Sequence, residues 1–443
     1  MPSRNLIFIG LATVIALCCH SISAKNRHAS IFSEALQIIQ NEALVETSER
    51  QLFDAAMNGM LQTLDPNSSF IAQDQYQAFD EDLSQEFVGV GMEVERDAEL
   101  NCIKVITPIP GTPAYNAGLQ IGDRILEIDG QPTTDLSSQE SIALIRGPKG
   151  EVVVFLISRA DREPFNIEVT RDAIPVPSIY GDTRNADGSW NFVLEQQPEI
   201  GYIRLLQFGR KSTDELRAAV QSLENIDAFI LDLRFNPGGL LNAAVDISDM
   251  FIGREVLIVQ TKQRNGKIVS RRYATSATEL STEIPMVVLV NEYSASASEI
   301  VAACLQDHSR ATIVGKQTWG KGTVQDLITM ERNRSVLRLT TASYWRPSGK
   351  NIDRTVLKLE DPTQYGVSPD DGFEIPLTEQ ELTDIATARN RRDQKLRPAD
   401  EAEPNDEAQP ANWLEVDLPL KRAVEHLRSQ LSGKANSKSA ATP

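Results

Sequence analysis

The run Met286-Val-Val-Leu-Val290, followed by Asn291-Glu-Tyr-Ser294-Ala-Ser296-Ala-Ser298-Glu299 and then Ile300-Val-Ala-Ala-Cys-Leu305, decides how this chain is read. Five apolar residues ending at a polar turn read as a buried strand, and the apolar segment after Glu299 reads as a helix. Such a junction sets a small hydroxyl residue at a helix N-terminus, where unpaired backbone N–H groups and the positive end of the helix dipole favour developing negative charge. Ser296-x-x-Glu299 also matches a capping box, so a purely structural role competes with a nucleophilic one.

The choice turns on a base. Of the four histidines, His20 and His28 lie near the N-terminus and His426 in the tail. His308 is twelve residues past Ser296, about 18 Å along a shared helix. A lysine can serve instead if desolvation holds it neutral. Lys321, 25 residues beyond Ser296 in Trp319-Gly-Lys321-Gly-Thr-Val-Gln325, has glycine on either side, Trp319 nearby and the apolar run Ala311-Thr-Ile-Val314 ahead of it. That setting suits water exclusion. On a strand, Gln325 would share a face with Lys321 and could hold the pair in line. The segment Gly315 to Gly322 nearly matches a phosphate-binding loop, but Gly322 stands where a hydroxyl is needed and the next residues are strand-like, which argues against a nucleotide.

Ser-Ala-Ser-Ala-Ser-Glu-Ile together with Gly-Lys-Gly-Thr-Val-Gln resembles the carboxyl-terminal processing peptidases, the Ser-Lys endopeptidases of the tail-specific protease group, family S41. The resemblance runs from about residue 30 to about 375. It implies Ser296 as nucleophile, Lys321 as base and Gln325 as a supporting amide, with no metal or organic cofactor. Arg234-Phe-Asn236-Pro-Gly238-Gly239 is by itself a tight Pro-Gly turn. The resemblance makes it an oxyanion site, with the Ala297 N–H as one donor and Gly238, or else Gly239, as the other. Family members usually carry Tyr-Tyr-x-Pro-Ser-Gly-Arg where this chain has Tyr344-Trp345-Arg346-Pro-Ser-Gly-Lys350, a departure outside the dyad.

Phe87-Val-Gly89-Val90-Gly91-Met92 and the stretch Gly111-Thr-Pro113-Ala114 to Ile128-Asp129-Gly130 read as glycine-interrupted strand, helix, turn, strand and hairpin. In that order they resemble a PDZ domain, spanning residues 86–173. A PDZ domain takes a peptide as an added strand and holds its terminal carboxylate on loop N–H groups, here Gly89, Val90, Gly91 and Met92. Arg146 either reports peptide occupancy to the core or is a solvated surface arginine.

Around these motifs the chain divides into a leader (1–24), a helical region (25–85), the PDZ module, a peptidase core (174–395), and an acidic linker with a short helix (396–443). Phe32, Leu36 and Ile39 form one apolar stripe in the helical region, and Leu52, Ala56, Met60 and Leu64 another. The first helix pair resembles the family's packing or dimerisation segment. Strands alternating with helices make the core a layered α/β fold within an α+β multidomain chain; the resemblance specifies a crotonase- or Clp-protease-like ββα superhelix. The last helix carries Leu420, Val424, Leu427 and Leu431 on one face, with no partner legible.

A length of 443 residues, 41% of them hydrophobic, suits two or three domains with sizeable cores. Arg4, the apolar stretch to Cys19 and Ser21-Ile-Ser23-Ala24 read as a secretory leader, with an uncleaved anchor as the alternative. Leu17 and Cys18 argue against a lipoprotein site at Cys19. Losing Arg4 moves the net charge from −18 to −19, which argues against binding nucleic acid through phosphates. Cys102 and Cys304 read as core thiols.

The expected protein is exported to the periplasm or the outer side of a bacterial membrane. Its expected substrates are proteins or peptides with free apolar C-termini. Membrane association requires a retained leader, and a homodimer or adaptor-regulated assembly stays open. A non-catalytic PDZ scaffold is the rival, against which every residue the chemistry needs is present. Acyl-CoA chemistry conflicts with the leader and the PDZ module.

Overall fold

The computed structural model describes residues 27–440 except 98–99, 161, 186–187, 333, 356–364 and 394–412, so the leader and most of the acidic linker lie outside the described residues. No described helix is long and apolar enough to cross a membrane. The described residues form two compact units, one within 1–76 and 325–340, the other within 77–324 and 341–443.

In the first unit, α1 (Arg27–Glu42) is followed by α2 (Glu49–Gln62), which starts at Ser48 because its hydroxyl and Gln51 cap each other's backbone N–H groups. Strand β1 (Ser69–Ile71) pairs antiparallel with residues 336–338. Leu61, Phe70 and Ala72 are buried there with Phe53 and Met57 against them. The face of α2 that is covered is therefore 53, 57 and 61. The expected stripe is covered only in part: Leu52 and Ala56 are half-buried but Met60 and Leu64 are 59% and 61% exposed, and α1 buries none of its residues. Apolar residues on two faces of one helix do not say which face β1 will meet.

After α3 (Gln73–Ser84), strand β2 (Glu86–Gly89) pairs with β8 (Asp172–Pro175), so the chain enters and leaves the next module through one two-stranded ribbon. Between them lie β3 (Met92–Arg96), β4 (Ile103–Pro108), the single-turn α4 (Pro113–Asn116), β5 (Arg124–Ile128), α5 (Ser138–Ile145), β6 (Val152–Ser158) and β7 (Phe165–Thr170). Their sheet runs β3-β4-β5-β6-β7, leaving β3 at an edge. Positive φ at Asp129 (49°) and Gly130 (77°) makes the tight hairpin expected of Asp-Gly. Val90, Ile103, Ile125, Phe155 and their neighbours form a separate core under this sheet.

The core sheet is parallel through β9 (Gln197–Leu205), β10 (Ala228–Asp232), β11 (Met286–Val290) and β12 (Thr312–Gly315). Helices α6 (Ser212–Gln221), α7 (Leu241–Asp249) and α8 (Ala297–Asp307) share one core with Ile203, Phe229, Leu231, Val288 and Val290. The alternate residues Tyr202, Ile230, Val287 and Leu289 form the other core with Trp413, Leu420, Val424 and Leu427. The strands are thus apolar on both faces, as a covered parallel sheet requires. The tail helix α10 (Leu418–Ala440) finds its partner here. Each fully buried Leu or Val contributes about 1.5–3 kcal/mol relative to an exposed one.

Candidate active site

The apolar strand β11 ends at Val290, and the following turn leads into α8 as the sequence pattern requires. Ser296 precedes the helix with φ 56° and ψ −110°. A left-handed φ at a non-glycine residue costs about 1–3 kcal/mol and persists only where the surroundings enforce it. Three bonds enforce it here. Ala295 N–H donates to Asn236 O (3.0 Å), Trp319 N–H to Ser294 O (3.0 Å), and Ser296 N–H to Glu299 Oε2 (2.7 Å). The neighbouring hydroxyls are committed to structure: Ser294 Oγ donates to Leu233 O (2.9 Å) and Ser298 Oγ to Asn236 O (3.0 Å), both residues being fully buried. The Ser296 hydroxyl donates to no carbonyl among the described residues, and Ser296 keeps 6% exposure.

Glu299 does more than cap a helix. Oε2 accepts both the Ser296 N–H (2.7 Å) and the Lys321 N–H (2.9 Å), while Oε1 accepts the Thr318 hydroxyl (2.5 Å) and the Gly320 N–H (2.6 Å). One fully buried carboxylate therefore fastens the backbone of Ser296 to that of Lys321. Burial pushes the Glu299 carboxyl above its ordinary range, against the four hydrogen bonds that pull it down. A cap read from SxxE leaves this second engagement hidden, because nothing local links Glu299 to residues 318–321.

Lys321 is half-buried in the loop between β12 and β13 (Thr323–Met330). Gly322 on its far side has no room for a side chain, since a Cβ there would lie 2.5 Å from Asp353 N. Trp319 is 44% exposed and lies under the Arg354 guanidinium at 3.7 Å, so it is not the water-excluding wall its position suggested. The strand-face argument for Gln325 also fails locally, because Lys321 lies two residues ahead of β13. Gln325 belongs to the first unit, where its Nε2 donates to Thr340 Oγ1 (3.2 Å) and Thr340 Oγ1 donates to Asp65 Oδ1 (3.0 Å). His308 ends α8, with Nε2 2.7 Å from Leu257 O.

The Asn236-Pro-Gly-Gly turn meets the serine turn directly. A Cβ on Gly238 would come within 2.6 Å of Ala295 O and 2.9 Å of both Ala297 N and Ser296 Cβ, so only glycine fits. The expected oxyanion donor is corrected, however: the Gly238 N–H is given to Asn236 Oδ1 (2.8 Å). Among the described residues neither the Ala297 N–H nor the Gly239 N–H has an acceptor. Asn236, fully buried, spends its Nδ2 on Leu205 O (2.7 Å), and Asn291 Oδ1 accepts the N–H groups of Phe235 (2.9 Å) and Tyr293 (3.2 Å). These two asparagines tie the turns together, and short-motif reading did not single them out.

In the β-module, Val90 O accepts the Ala114 N–H (2.8 Å), and Gly91 O accepts Ile109 N–H (3.0 Å) and the Thr112 hydroxyl (2.8 Å). These bonds hold the Gly89–Met92 loop by its carbonyls at the head of the edge strand β3. Arg146, half-exposed, lies 3.7 Å from Glu81 Oε2 and over the Phe87 ring at 5.0 Å, against α3 and the entry ribbon. Arg346, next to the departure at Trp345, forks onto Asp307 at the end of α8 (3.2 and 2.5 Å). Cys102 and Cys304 are buried thiols, as expected. Among the described residues no three His, Cys, Asp or Glu are grouped to hold a metal ion.

The model for peptidase family S41 matches residues 199–371, and a PDZ domain model matches residues 104–159. The chain is 35% identical over 393 residues to the carboxy-terminal-processing protease of Bartonella bacilliformis, covering 85% of this chain and 84% of that protein. It is 35% identical to the carboxy-terminal processing protease CtpA of Bacillus subtilis, covering 74% and 67%, and 37% identical to the carboxyl-terminal-processing protease of Synechocystis, covering 73% and 71%. With the serine turn and the lysine loop fastened together on a parallel-sheet core, and a PDZ domain ahead of them, the chain belongs to peptidase family S41, among the carboxy-terminal-processing serine proteases.

Proposed function

We propose that Ser296 and Lys321 form the dyad of this protease and act through an acyl-enzyme. Lys321, deprotonated, takes the proton of Ser296; Ser296 Oγ attacks the scissile carbonyl; the N–H groups of Ala297 and Gly239 receive the oxyanion; the amine leaves protonated, and water activated by Lys321 releases the acyl group. The observation that carries the reading is Glu299 Oε2 accepting the backbone N–H of both Ser296 and Lys321. A decayed scaffold has no need to keep a strained serine fastened to a lysine.

The PDZ domain supplies substrate. A C-terminal tail adds to the free edge of β3, with its carboxylate on the N–H groups of Gly89–Met92, and apolar tail residues face the module's core. Such tails are exposed on misfolded or truncated exported proteins, in keeping with a leader cleaved after Ala24 and a periplasmic location; the N-terminal sequence of the secreted protein checks that cleavage. The dyad is tested by cleavage of a protein with an apolar tail. Ser296→Ala should be inert, while Ser294→Ala and Ser298→Ala retain turnover in proportion to their folded fraction. Wild-type turnover in Ser296→Ala removes the assignment.

A further inference from the structure

Arg234 opens the Asn-Pro-Gly-Gly turn and is almost wholly buried. One edge of its guanidinium forks onto Asp232, with Nε 3.0 Å from Oδ1 and Nη2 2.7 Å from Oδ2. The other edge forks onto Asp417, with Nη1 2.7 Å from Oδ1 and Nη2 2.9 Å from Oδ2. Asp417 comes from the far end of the chain, is 1% exposed, and also accepts the Leu420 N–H (3.1 Å) that starts α10. Arg389 of α9 (Glu379–Asp393) stands 3.9 Å from Asp417 and bonds the Tyr202 hydroxyl (2.9 Å), which donates to Asp232 Oδ2 (2.7 Å). Trp413 lies against the guanidiniums of both Arg389 (4.2 Å) and Arg392 (4.7 Å). The acids and bases alternate in one buried chain that starts at the tail and ends at the catalytic turn.

Such an arrangement is poor economy for stability alone, since buried ion pairs gain little over apolar packing. What it supplies is direction. A guanidinium forked on both edges has no rotational freedom left. Two residues later the backbone holds Asn236, which carries the Ala295 N–H, the Ser298 hydroxyl and the Gly238 N–H. We propose that Asp417 is a positioning residue for the protease reaction: delivered by the docked C-terminal segment, it fixes Arg234 and thereby the turn that offers the Gly239 N–H to the oxyanion. The tail is then part of the catalytic apparatus rather than a trailing helix.

The inference rests on the turn's role proposed above. Its test is Asp417→Asn in the full chain, because asparagine keeps the helix cap but sets an NH2 against one Arg234 donor. The kcat and KM for a quenched peptide are measured beside circular dichroism, with active sites counted by a fluorophosphonate. The expected result is a kcat lower by about tenfold per folded active site, with KM within about twofold. Asp417→Glu, which keeps the charge and shifts the fork, should fold closer to wild type and still lose kcat. Wild-type kcat in whichever variant folds overturns the proposal, and failure of both to fold overturns it in favour of a purely scaffolding role. A wild type that hydrolyses the peptide but resists the fluorophosphonate sinks the Ser296 reading instead; kcat is then taken per folded chain from circular dichroism, and that comparison still tests Asp417.

Discussion

Replacing Glu299 with glutamine exchanges one carboxylate oxygen for an NH2 group at the point where serine and lysine are fastened together. All four of its partners are donors: the N–H groups of Ser296, Gly320 and Lys321, and the Thr318 hydroxyl. A carboxylate satisfies all of them; an amide has one oxygen. The less costly orientation puts the NH2 at the Oε1 position, but Thr318 cannot simply turn, because its hydroxyl already accepts the Val367 N–H (2.8 Å). The Gly320 N–H is then buried without an acceptor, at about 1–3 kcal/mol. The two bonds that remain, to Ser296 and Lys321, drop from charge-assisted to neutral strength, about 1 kcal/mol each. Relief of burying a charge offsets part of this total of about 3–5 kcal/mol. A residue of about 2.7 kcal/mol expressed as misalignment is a hundredfold in rate. The assay is kcat on a quenched peptide with the melting temperature measured alongside. The kcat should fall about a hundredfold, and a Glu299→Gln enzyme within threefold of wild type would refute the bridging role.

Gly238→Ala should cost activity more than stability, since the added Cβ meets Ala295 O at 2.6 Å and Ala297 N at 2.9 Å in a backbone of φ +99°; peptide kinetics beside thermal melts check this. Burial raises the Cys304 thiol from its ordinary 9.0 to about 12. The unfolded chain releases that proton first, so the contribution is whole below pH 9 and is lost as pH rises toward 12, by about 1.4 kcal/mol per unit; melts from pH 8 to 10 should show a shallower decline in Cys304→Ala. The Glu299 carboxyl is likewise raised by burial, so its share of stability falls as pH rises through its folded pKa. Arg146→Ala, losing its contacts with Glu81 and Phe87, should slow cleavage of tailed proteins without weakening tail binding by the PDZ domain, read by fluorescence anisotropy.

What could be read in the sequence was local. The strand-turn-helix at 286–305 and the Asp129-Gly130 hairpin each follow from a few adjacent residues, and both stand in the structure. What could not be read was made by partners far apart. Asp417 lies 183 residues from Arg234, and no period or propensity records that pairing. The same holds for Glu299, whose cap is local but whose grip on residues 318–321 is tertiary. Asn236 takes the Gly238 N–H through a side chain two residues away, which a Pro-Gly turn signature does not specify. The helix at 49–62 failed differently, since two candidate apolar faces were present and only the strand packed on it chose between them.

The central claim, a serine activated by a lysine, is tested most directly by mapping where a fluorophosphonate attaches. Wild type and Lys321→Arg, both verified as folded, are labelled for a fixed time, digested and analysed by mass spectrometry. Arginine stays protonated at any usable pH and cannot take the serine proton. One adduct, on Ser296, is expected in the wild type and its loss in Lys321→Arg; an adduct on another serine, or equal labelling rates in the two proteins, would contradict lysine activation of Ser296.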